Sequence, residues 1–328
     1  MFRYLRRQWF LVSLTIVFCA GFFGANWFEP FTNAHKLRSA IVAVVIFMMA
    51  LPLDTQSVGQ SLRRPWAALL GSAVNMVLLP LAAWGMSCLL AGDMRTGLLI
   101  TASVPCTLAT AAVWTRRAGG DDTVSILVTA ITNISCFLTT PFWLFVTTGS
   151  QLTPELQGRL ARMPIRLALL VVLPMALAQL VRQHHDIGNW ASARKSMLGT
   201  LSQIGILSMV LSGATKCGLV MSGTNGSNSN DFPLMFAVVV VLHLLLFWCG
   251  MWLARFLGFR RPQQIAVGIS GSQKSLMVGL HISIQYFGGL TILPMMTYHL
   301  TQLTADTVIA DWLRAADGGR TVGRQQGA

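Results

Sequence analysis

The chain has 328 residues, of which 54% are hydrophobic and only 11% are charged. Soluble domains carry charges on about a quarter of their residues, so this composition excludes a soluble globular protein and indicates a membrane protein. The net charge of +13 does not indicate a nucleic-acid partner, because Lys and Arg stand in short clusters between apolar runs instead of along one face.

A helix that spans the membrane needs about 20 mostly apolar residues. The apolar runs of this length, or close to it, predict about ten membrane spans. The basic N-terminus resembles a secretory signal, but the many later spans favour a first transmembrane helix instead. In chain order, the predicted spans cover residues 9–27, 39–53, 65–90, 97–115, 122–148, 164–182, 198–221, 232–257, 263–286 and 289–312.

The distribution of basic residues predicts the orientation. With both termini in the cytoplasm, 16 of the 24 Lys and Arg residues fall in inner segments and span ends, and six fall in outer ones. This positive-inside bias predicts a multi-pass protein of the cell inner membrane with cytoplasmic N- and C-termini. The segment 222–231 has no basic residue and is predicted to form a flexible outer turn.

A polar connector at residues 149–163 divides the spans into two sets of five, at residues 1–148 and 164–313, followed by a tail at 314–328. An odd number of spans in each half inverts the second half relative to the first, which is the topology of many transporters. A gap-free shift of one half onto the other aligns Asn75 with His243 and Thr107 with Ser275.

The aligned fourth and ninth spans are both interrupted in the middle. Proline removes a backbone donor from the fourth, and a polar run crosses the ninth, which lipid tolerates only beside a wet cavity inside the protein. Paired broken helices are a pointer to a transport site, although Pro105 alone would be explained by a simple kink. The candidate substrate- and ion-binding residues here are Pro105, Cys106, Thr107, Thr110, Ser270, Ser272, Gln273, Lys274 and Ser275.

Lys274 lies at the centre of the ninth span, where a lysine costs about 2.5–3.5 kcal/mol to insert. One interpretation is a structural lysine that is bonded to helix carbonyls. The other is a functional ammonium that takes the place of a bound cation, with carbonyls near Val104 and Ser270 as its acceptors, and that releases a proton during transport.

Two further helices carry polar side chains on one face. Ser125, Thr129 and Asn133 follow one another at i, i+4 and i+8 in the fifth span, and their oxygens suit a hard cation or a polar substrate. Hydroxyls that bond back to their own helix are the alternative. Asp121 and Asp122, just before this helix, are predicted to form its N-terminal cap.

The tenth span carries a second polar face. His299, Gln302 and Asp306 lie on it, and together with His243 they form a candidate proton relay. Asn75 in the third span is a further candidate for substrate or ion binding. Packing contacts are the simpler explanation for each of these residues taken alone, Asn75 included. The sequence has no nucleophile elbow, phosphate-binding glycine loop or HExxH motif, which argues against an enzyme or an ATP-driven pump.

Four segments together resemble the bile acid:sodium symporter family, in the branch that contains sodium/bile acid cotransporter 7 and its bacterial relatives. The resemblance implies an all-α protein of ten helices in two inverted five-helix repeats, with a core domain, a panel domain, and broken fourth and ninth helices that cross near the substrate. The segments are Asn75 with Pro80, SVPCTLATAAVWTRRAGGDD (103–122), GSQKSLMVG (271–279) and LPMMTYHLTQLTADTVIADW (293–312).

The resemblance also implies a sodium ion, which would be the sole cofactor, with Ser125, Thr129 and Gln273 as its ligands, and places Asn75 where the family has a glutamine. The chain departs from the family at further positions. Thr110 and Ala111 stand where the fourth helix of the family has a serine–asparagine pair. Ile269 stands near the place of a glutamate, and Lys274 stands where an asparagine is usual. Losing a carboxylate and gaining an ammonium leaves the coupling ion open between sodium and a proton.

These observations predict a secondary transporter of a small organic anion that works by alternating access in the lipid bilayer. The partly positive N-termini of broken helices would favour an anionic group. The alternative is a membrane regulator or sensor that keeps the transporter fold without transporting. Substrate, direction of transport and oligomeric state do not follow from the sequence.

Overall fold

The computed structural model describes residues 9–32, 34–53, 65–108, 110–149, 153–223 and 231–325, and these residues contain helices but no β-strand. The predicted cytoplasmic start at 1–8, most of the predicted outer turn at 222–231, and the last three residues of the tail lie outside the described residues.

The first half contains eight described helices and one π-helical turn, Val74–Leu78, which joins the fourth helix to the fifth. These helices are α1 (Trp9–Phe23), α2 (Ala25–Thr32), α3 (His35–Ala50), α4 (Trp66–Ala73), α5 (Leu79–Met86), α6 (Gly92–Ser103), α7 (Thr110–Arg117) and α8 (Asp122–Thr148). Of the two predicted cap residues, Asp121 caps α8, because its side chain accepts a hydrogen bond from the backbone N–H of Thr123, whereas Asp122 is the first residue of the helix.

The second half contains nine described helices, with π-helical turns at Ala168–Val172 and Ser283–Phe287. Its first helix lies within the predicted connector, and its last helix extends beyond the predicted span into the tail. The helices are α9 (Pro154–Ala161), α10 (Met163–Leu167), α11 (Leu173–Arg182), α12 (His185–Ala193), α13 (Lys195–Gly223), α14 (Asp231–Phe256), α15 (Arg261–Ser272), α16 (Leu276–Ile282) and α17 (Ile292–Gln325).

Five helical segments among the described residues are long and apolar enough to cross a membrane. Each coincides with one of the predicted spans, so the prediction of a polytopic all-α membrane protein is confirmed. The segments are Trp66–Leu89, Asp122–Thr148, Met163–Arg182, Lys195–Ser222 and Phe232–Phe256.

The helices pack in two groups. In the first group, α13 packs along α1, α2 and α3, and α11 packs on α3. In the second group, α8 contacts α4, α6, α7 and α15, and α14 contacts α15 and α17. Close packing in the first group depends on small residues, since a Cβ atom on Gly218 would collide with the carbonyl of Phe22.

The π-helical turn at Val74–Leu78 follows from the proline that stands behind it. Pro80 has no N–H, and the backbone N–H of Leu79 donates to the carbonyl of Val74 in a widened turn. The carbonyl of Asn75 is therefore left without a helical donor, because its α-helical partner bonds elsewhere and its next partner is a proline. The turn thus points a free acceptor into the second helix group.

Candidate functional site

The two predicted interruptions lie against each other. Helix α6 ends at Ser103 and α7 begins at Thr110, while α15 ends at Ser272 and α16 begins at Leu276. The backbone N–H of Ser275 donates to the carbonyl of Pro105 across the crossing, at 2.9 Å. The prediction that both helices break near Pro105 and Gln273, and that the breaks meet, is confirmed.

Helix α8 supports the first interruption from the side. The Asn133 amide donates to the carbonyls of Cys106 and Thr129 at 2.9 Å, and the Thr129 hydroxyl donates to the carbonyl of Thr107 at 3.1 Å. Ser125 lies apart from this contact and shares a hydrogen bond of 2.7 Å with Thr115 on α7. Of the polar face predicted on this helix, Thr129 and Asn133 meet at the break and Ser125 does not.

Lys274 is fully buried, and its ammonium contacts three oxygen atoms. Its Nζ donates to the carbonyls of Asn75 and Val104, at 2.7 and 2.8 Å, and to Asn75 Oδ1 at 3.2 Å. We call these three oxygens the Asn75–Val104 cage. The expected acceptor at Val104 is present, whereas the expected acceptor at Ser270 instead receives a hydrogen bond from Asn75 Nδ2.

Asn75 also holds the second interruption. Its Nδ2 lies within hydrogen-bond distance of the carbonyls of Ser270, Gly271 and Gln273, the shortest being 2.8 Å to Gln273. The hydroxyls of Ser270 and Ser272 bond to carbonyls of their own helix. Both hydroxyls therefore donate within the helix, and the carbonyls of these two residues accept hydrogen bonds from Asn75 and Tyr298.

Gln273 connects the crossing to a buried carboxylate. Its Oε1 accepts hydrogen bonds from the hydroxyls of Thr107 and Thr110, at 3.1 and 3.0 Å, and its Nε2 donates to Asp306 Oδ2 at 2.5 Å. His243 Nε2 lies 3.0 Å from Asp306 Oδ1. The sequence identified all of these residues but did not show that Gln273 joins the suggested relay to the ion- and substrate-binding candidates.

The suggested relay divides into two pairs. His243 contacts Asp306, while Gln302 Nε2 lies 2.8 Å from His299 Nδ1. Gln302 Oε1 also accepts a hydrogen bond from the backbone N–H of Lys274 at 2.9 Å, and Gln302 Nε2 donates to the Lys274 carbonyl at 3.1 Å. Among the described residues the two pairs are linked through the second interruption instead of directly to each other.

A cavity of about 500 Å³ lies between the two helix groups. Its walls include aromatic and Met side chains of α1 and α3 and the residues Leu108 and Thr110 of the second group, and it carries the basic side chains Arg116, Arg117 and Lys195. A smaller space beside it shares Thr110 and reaches Thr107, Ser275 and His299. The cavity therefore extends to the first interruption and to the partners of Gln273.

The basic side chains of the cavity differ in their partners. Arg116 pairs with Asp122, and Arg117 pairs with Asp311 at 2.7 Å. Lys195 forms no hydrogen bond or ion pair within the described part of the chain. An apolar cavity with basic groups at one side has the chemistry to hold an organic anion.

The oxygens that would hold a sodium ion have other partners. Ser125 bonds to Thr115, Thr129 donates to the Thr107 carbonyl, and Gln273 Oε1 accepts from two threonines. No contact brings these three oxygens to one point among the described residues, so the implied sodium site does not fit this arrangement. Asn133 Oδ1, by contrast, is buried without a partner there.

Comparison with known proteins agrees with this architecture. The model of the SBF-like CPA transporter family matches residues 8–315. The putative symporter YfeH of Escherichia coli (strain K12) is 26% identical over 311 residues, covering 92% of this chain and 90% of that protein. Sodium/bile acid cotransporter 7-B of Xenopus laevis is 22% identical over 95% of this chain and 93% of its own length.

A third relative, the uncharacterized sodium-dependent transporter YocS of Bacillus subtilis (strain 168), is 23% identical over 88% of this chain and 86% of that protein. These matches extend over nearly the whole chain, and the relatives carry names of symporters and sodium-dependent transporters. The resemblance to the bile acid:sodium symporter family is confirmed, the protein is a transporter of a small solute, and the chain belongs to the SBF-like CPA transporter family.

Proposed function

We propose that this protein is a secondary transporter of a small organic anion that works by alternating access. The observation that carries the proposal is the hydrogen-bonded crossing of two interrupted helices beside a cavity between two helix groups. Binding at broken helices and movement of one helix group against another are how many secondary transporters work. The basic residues Arg116, Arg117 and Lys195 support an anionic substrate.

The proposal includes ten membrane spans in two inverted repeats, at 1–148 and 164–313, in the inner membrane. Five of these spans are not among the described helices that are long and apolar enough to cross a membrane. They would be the short helices α1 and α3, the two interrupted helices, and the polar first part of α17. The group of α1–α3, α11 and α13 would be the panel domain, and the other group would be the core domain.

The driving gradient is proposed to be sodium or protons. The names of the relatives favour sodium, whereas the buried His243–Asp306 pair, joined to the cavity through Gln273 and Thr110, favours a proton. Intramembrane carboxylates and histidines of this kind commonly carry protons in transporters. No step is assigned to a bound metal, because the candidate ligands do not converge.

Uptake into proteoliposomes tests the proposal. Purified protein is supplied with labelled organic anions, including taurocholate and short mono- and dicarboxylates, under an imposed sodium or proton gradient. We expect at least one anion to accumulate above equilibrium and the accumulation to disappear when the gradient is dissipated. No accumulation of any anion under either gradient would contradict transport and favour the regulator that keeps the fold.

A matched pair of variants tests the cavity in the same assay. Lys195→Gln removes a basic group from the cavity wall, and we expect several-fold weaker uptake with less dependence on salt. Arg194→Gln is the control, because Arg194 stacks on the Trp190 ring and is not part of the cavity wall. Equal effects of the two variants on uptake would show that the anion does not bind in this cavity.

A further inference from the structure

The Asn75–Val104 cage surrounds an ammonium with uncharged oxygens. Two of its three oxygens are backbone carbonyls and the third is an amide oxygen, all within 3.2 Å of Lys274 Nζ. Asn75, Val104 and Lys274 are all buried. Neutral carbonyl oxygens that replace a hydration shell are the ligands that proteins use for monovalent cations inside membranes, and three donors of an ammonium match three acceptors.

The backbone places two of the three oxygens of this cage independently of Lys274. The carbonyl of Asn75 is free because Leu79 donates to Val74 and Pro80 has no N–H. The carbonyl of Val104 is free because α6 ends at Ser103 and Val104 is extended before Pro105. Two separate prolines and two separate backbone irregularities therefore direct carbonyls at one point, which indicates an acceptor site and not a chance contact of a long side chain.

We propose that the Asn75–Val104 cage is a monovalent-cation site that the chain fills with its own lysine. The inference rests on the proposed function, because a cation at the helix crossing supplies there the positive charge that an anionic substrate requires. A tethered ammonium cannot diffuse away, so the protonated side chain holds a positive charge at the crossing without a bound ion. Transport then requires no sodium ion at this position, whichever gradient drives it.

Chemical rescue tests the cage without a known substrate. Lys274→Ala removes the propylammonium part of the side chain, so the space left can accept n-propylammonium or a sodium ion with water. We expect the variant, in detergent with choline chloride, to unfold at a lower temperature than the parent. Replacing choline with sodium or n-propylammonium at equal ionic strength should raise its unfolding temperature by several degrees, because a ligand of the folded state stabilises it.

Lys216→Ala provides the matched control. Lys216 lies in α13, another predicted span, but its Nζ approaches a single carbonyl, that of Ile284, at 3.5 Å. We expect neither sodium nor n-propylammonium to shift the unfolding temperature of this variant or of the parent more than choline does. A selective response of Lys274→Ala therefore reports the cage and not a general salt effect.

Two outcomes would overturn the proposal. The first is that sodium and n-propylammonium raise the unfolding temperature of Lys274→Ala no more than they raise the unfolding temperature of Lys216→Ala. If Lys274→Ala does not fold, the neutral and similarly long Lys274→Met decides, since a Met variant as stable as the parent would show that the cage needs no cation. These readouts do not depend on uptake, so failed transport by the parent would contradict the proposed function alone.

Discussion

Asp306 is the carboxylate of the helix crossing, and both of its oxygens face nitrogen atoms. Gln273 Nε2 donates to one oxygen and His243 Nε2 lies 3.0 Å from the other. Because Asp306 Oδ2 accepts from Gln273 Nε2, the amide nitrogen of Gln273 points towards α17 and its amide oxygen points towards Thr107 and Thr110. One side chain on α17 thereby determines which atom of Gln273 reaches the first interruption.

Asp306→Asn should therefore disturb the crossing more than its small change in shape suggests. Asparagine offers one acceptor oxygen where aspartate offers two, so it cannot accept at both Gln273 Nε2 and His243 Nε2, and we expect a loss of stability of about 1–3 kcal/mol, measured by thermal unfolding. Asp311→Asn on the same helix is the control, because its pair with Arg117 is at the surface and is worth at most about 1 kcal/mol. Similar losses in both variants would contradict the special role of Asp306.

At the residue scale, the sequence predicts which side chains are unusual but not which ones meet. A lysine at mid-span stands out because of its insertion cost, and the structure places Lys274 in full burial. The contact between Gln273 and Asp306 spans 33 residues of sequence and depends on how α15 and α17 pack. The hydroxyls of Ser270 and Ser272 turn to their own helix, a local choice that composition does not indicate.

Lys274 gives a second prediction at this scale. Lys274→Asn introduces the residue type that the family resemblance implies at this position, and we expect this variant to fold and to transport with a stronger dependence on sodium than the parent. Lys274→Met removes the charge and puts no polar group in place of the ammonium, and we expect it to abolish uptake. Both are measured in proteoliposomes with sodium replaced by choline. If both variants transport like the parent in both media, the ammonium has no part in transport.

At the scale of helices, prolines explain most departures from regular structure. Pro105 and the polar run near Gln273 predict the interruptions because each removes or competes with helical hydrogen bonds. The π-helical turns at Val74–Leu78 and Ala168–Val172 both precede a Leu-Pro pair. Sequence alone did not predict them, since a proline is accommodated by a kink or by a widened turn, and packing selects between the two.

The two π-helical turns offer a matched test. Pro80→Ala gives residue 80 an N–H that can bond to the Asn75 carbonyl in competition with Lys274. Pro174→Ala makes the same change after a turn in which Leu173 donates to the Ala168 carbonyl. We expect Pro80→Ala to be the less stable variant by about 0.5–1.5 kcal/mol, the net worth of one hydrogen bond.

The control for this pair is the same two substitutions in a Lys274→Met background. With the ammonium absent, the carbonyl of Asn75 has no partner to lose, so the difference between Pro80→Ala and Pro174→Ala in thermal unfolding should disappear. A difference that persists would show that it comes from helix strain and not from the Asn75–Val104 cage.

At the scale of the whole molecule, only five of the predicted spans contain, among the described residues, a helix that is long and apolar enough to cross a membrane, and the others fall short for a physical reason. A helix broken at its centre is too short in each part, and a helix that lines a site carries polar residues that lower its mean hydropathy. The helices that form the two interruptions, α6, α7, α15 and α16, are outside the five, as is α17. The sequence predicted these spans as apolar runs, and the motifs marked their interruptions.

The inverted repeat gives the last prediction, because it assigns corresponding loops of the two halves to opposite sides of the membrane. Ala91 precedes α6, Arg260 precedes α15, and both are exposed. We expect Ala91→Cys, in a background without the six native cysteines, to react with a membrane-impermeant maleimide applied to spheroplasts. Arg260→Cys should react only after permeabilisation. Labelling of both positions from the same side would mean that an even number of spans separates the two loops. That result would contradict the inverted repeat and the ten-span topology.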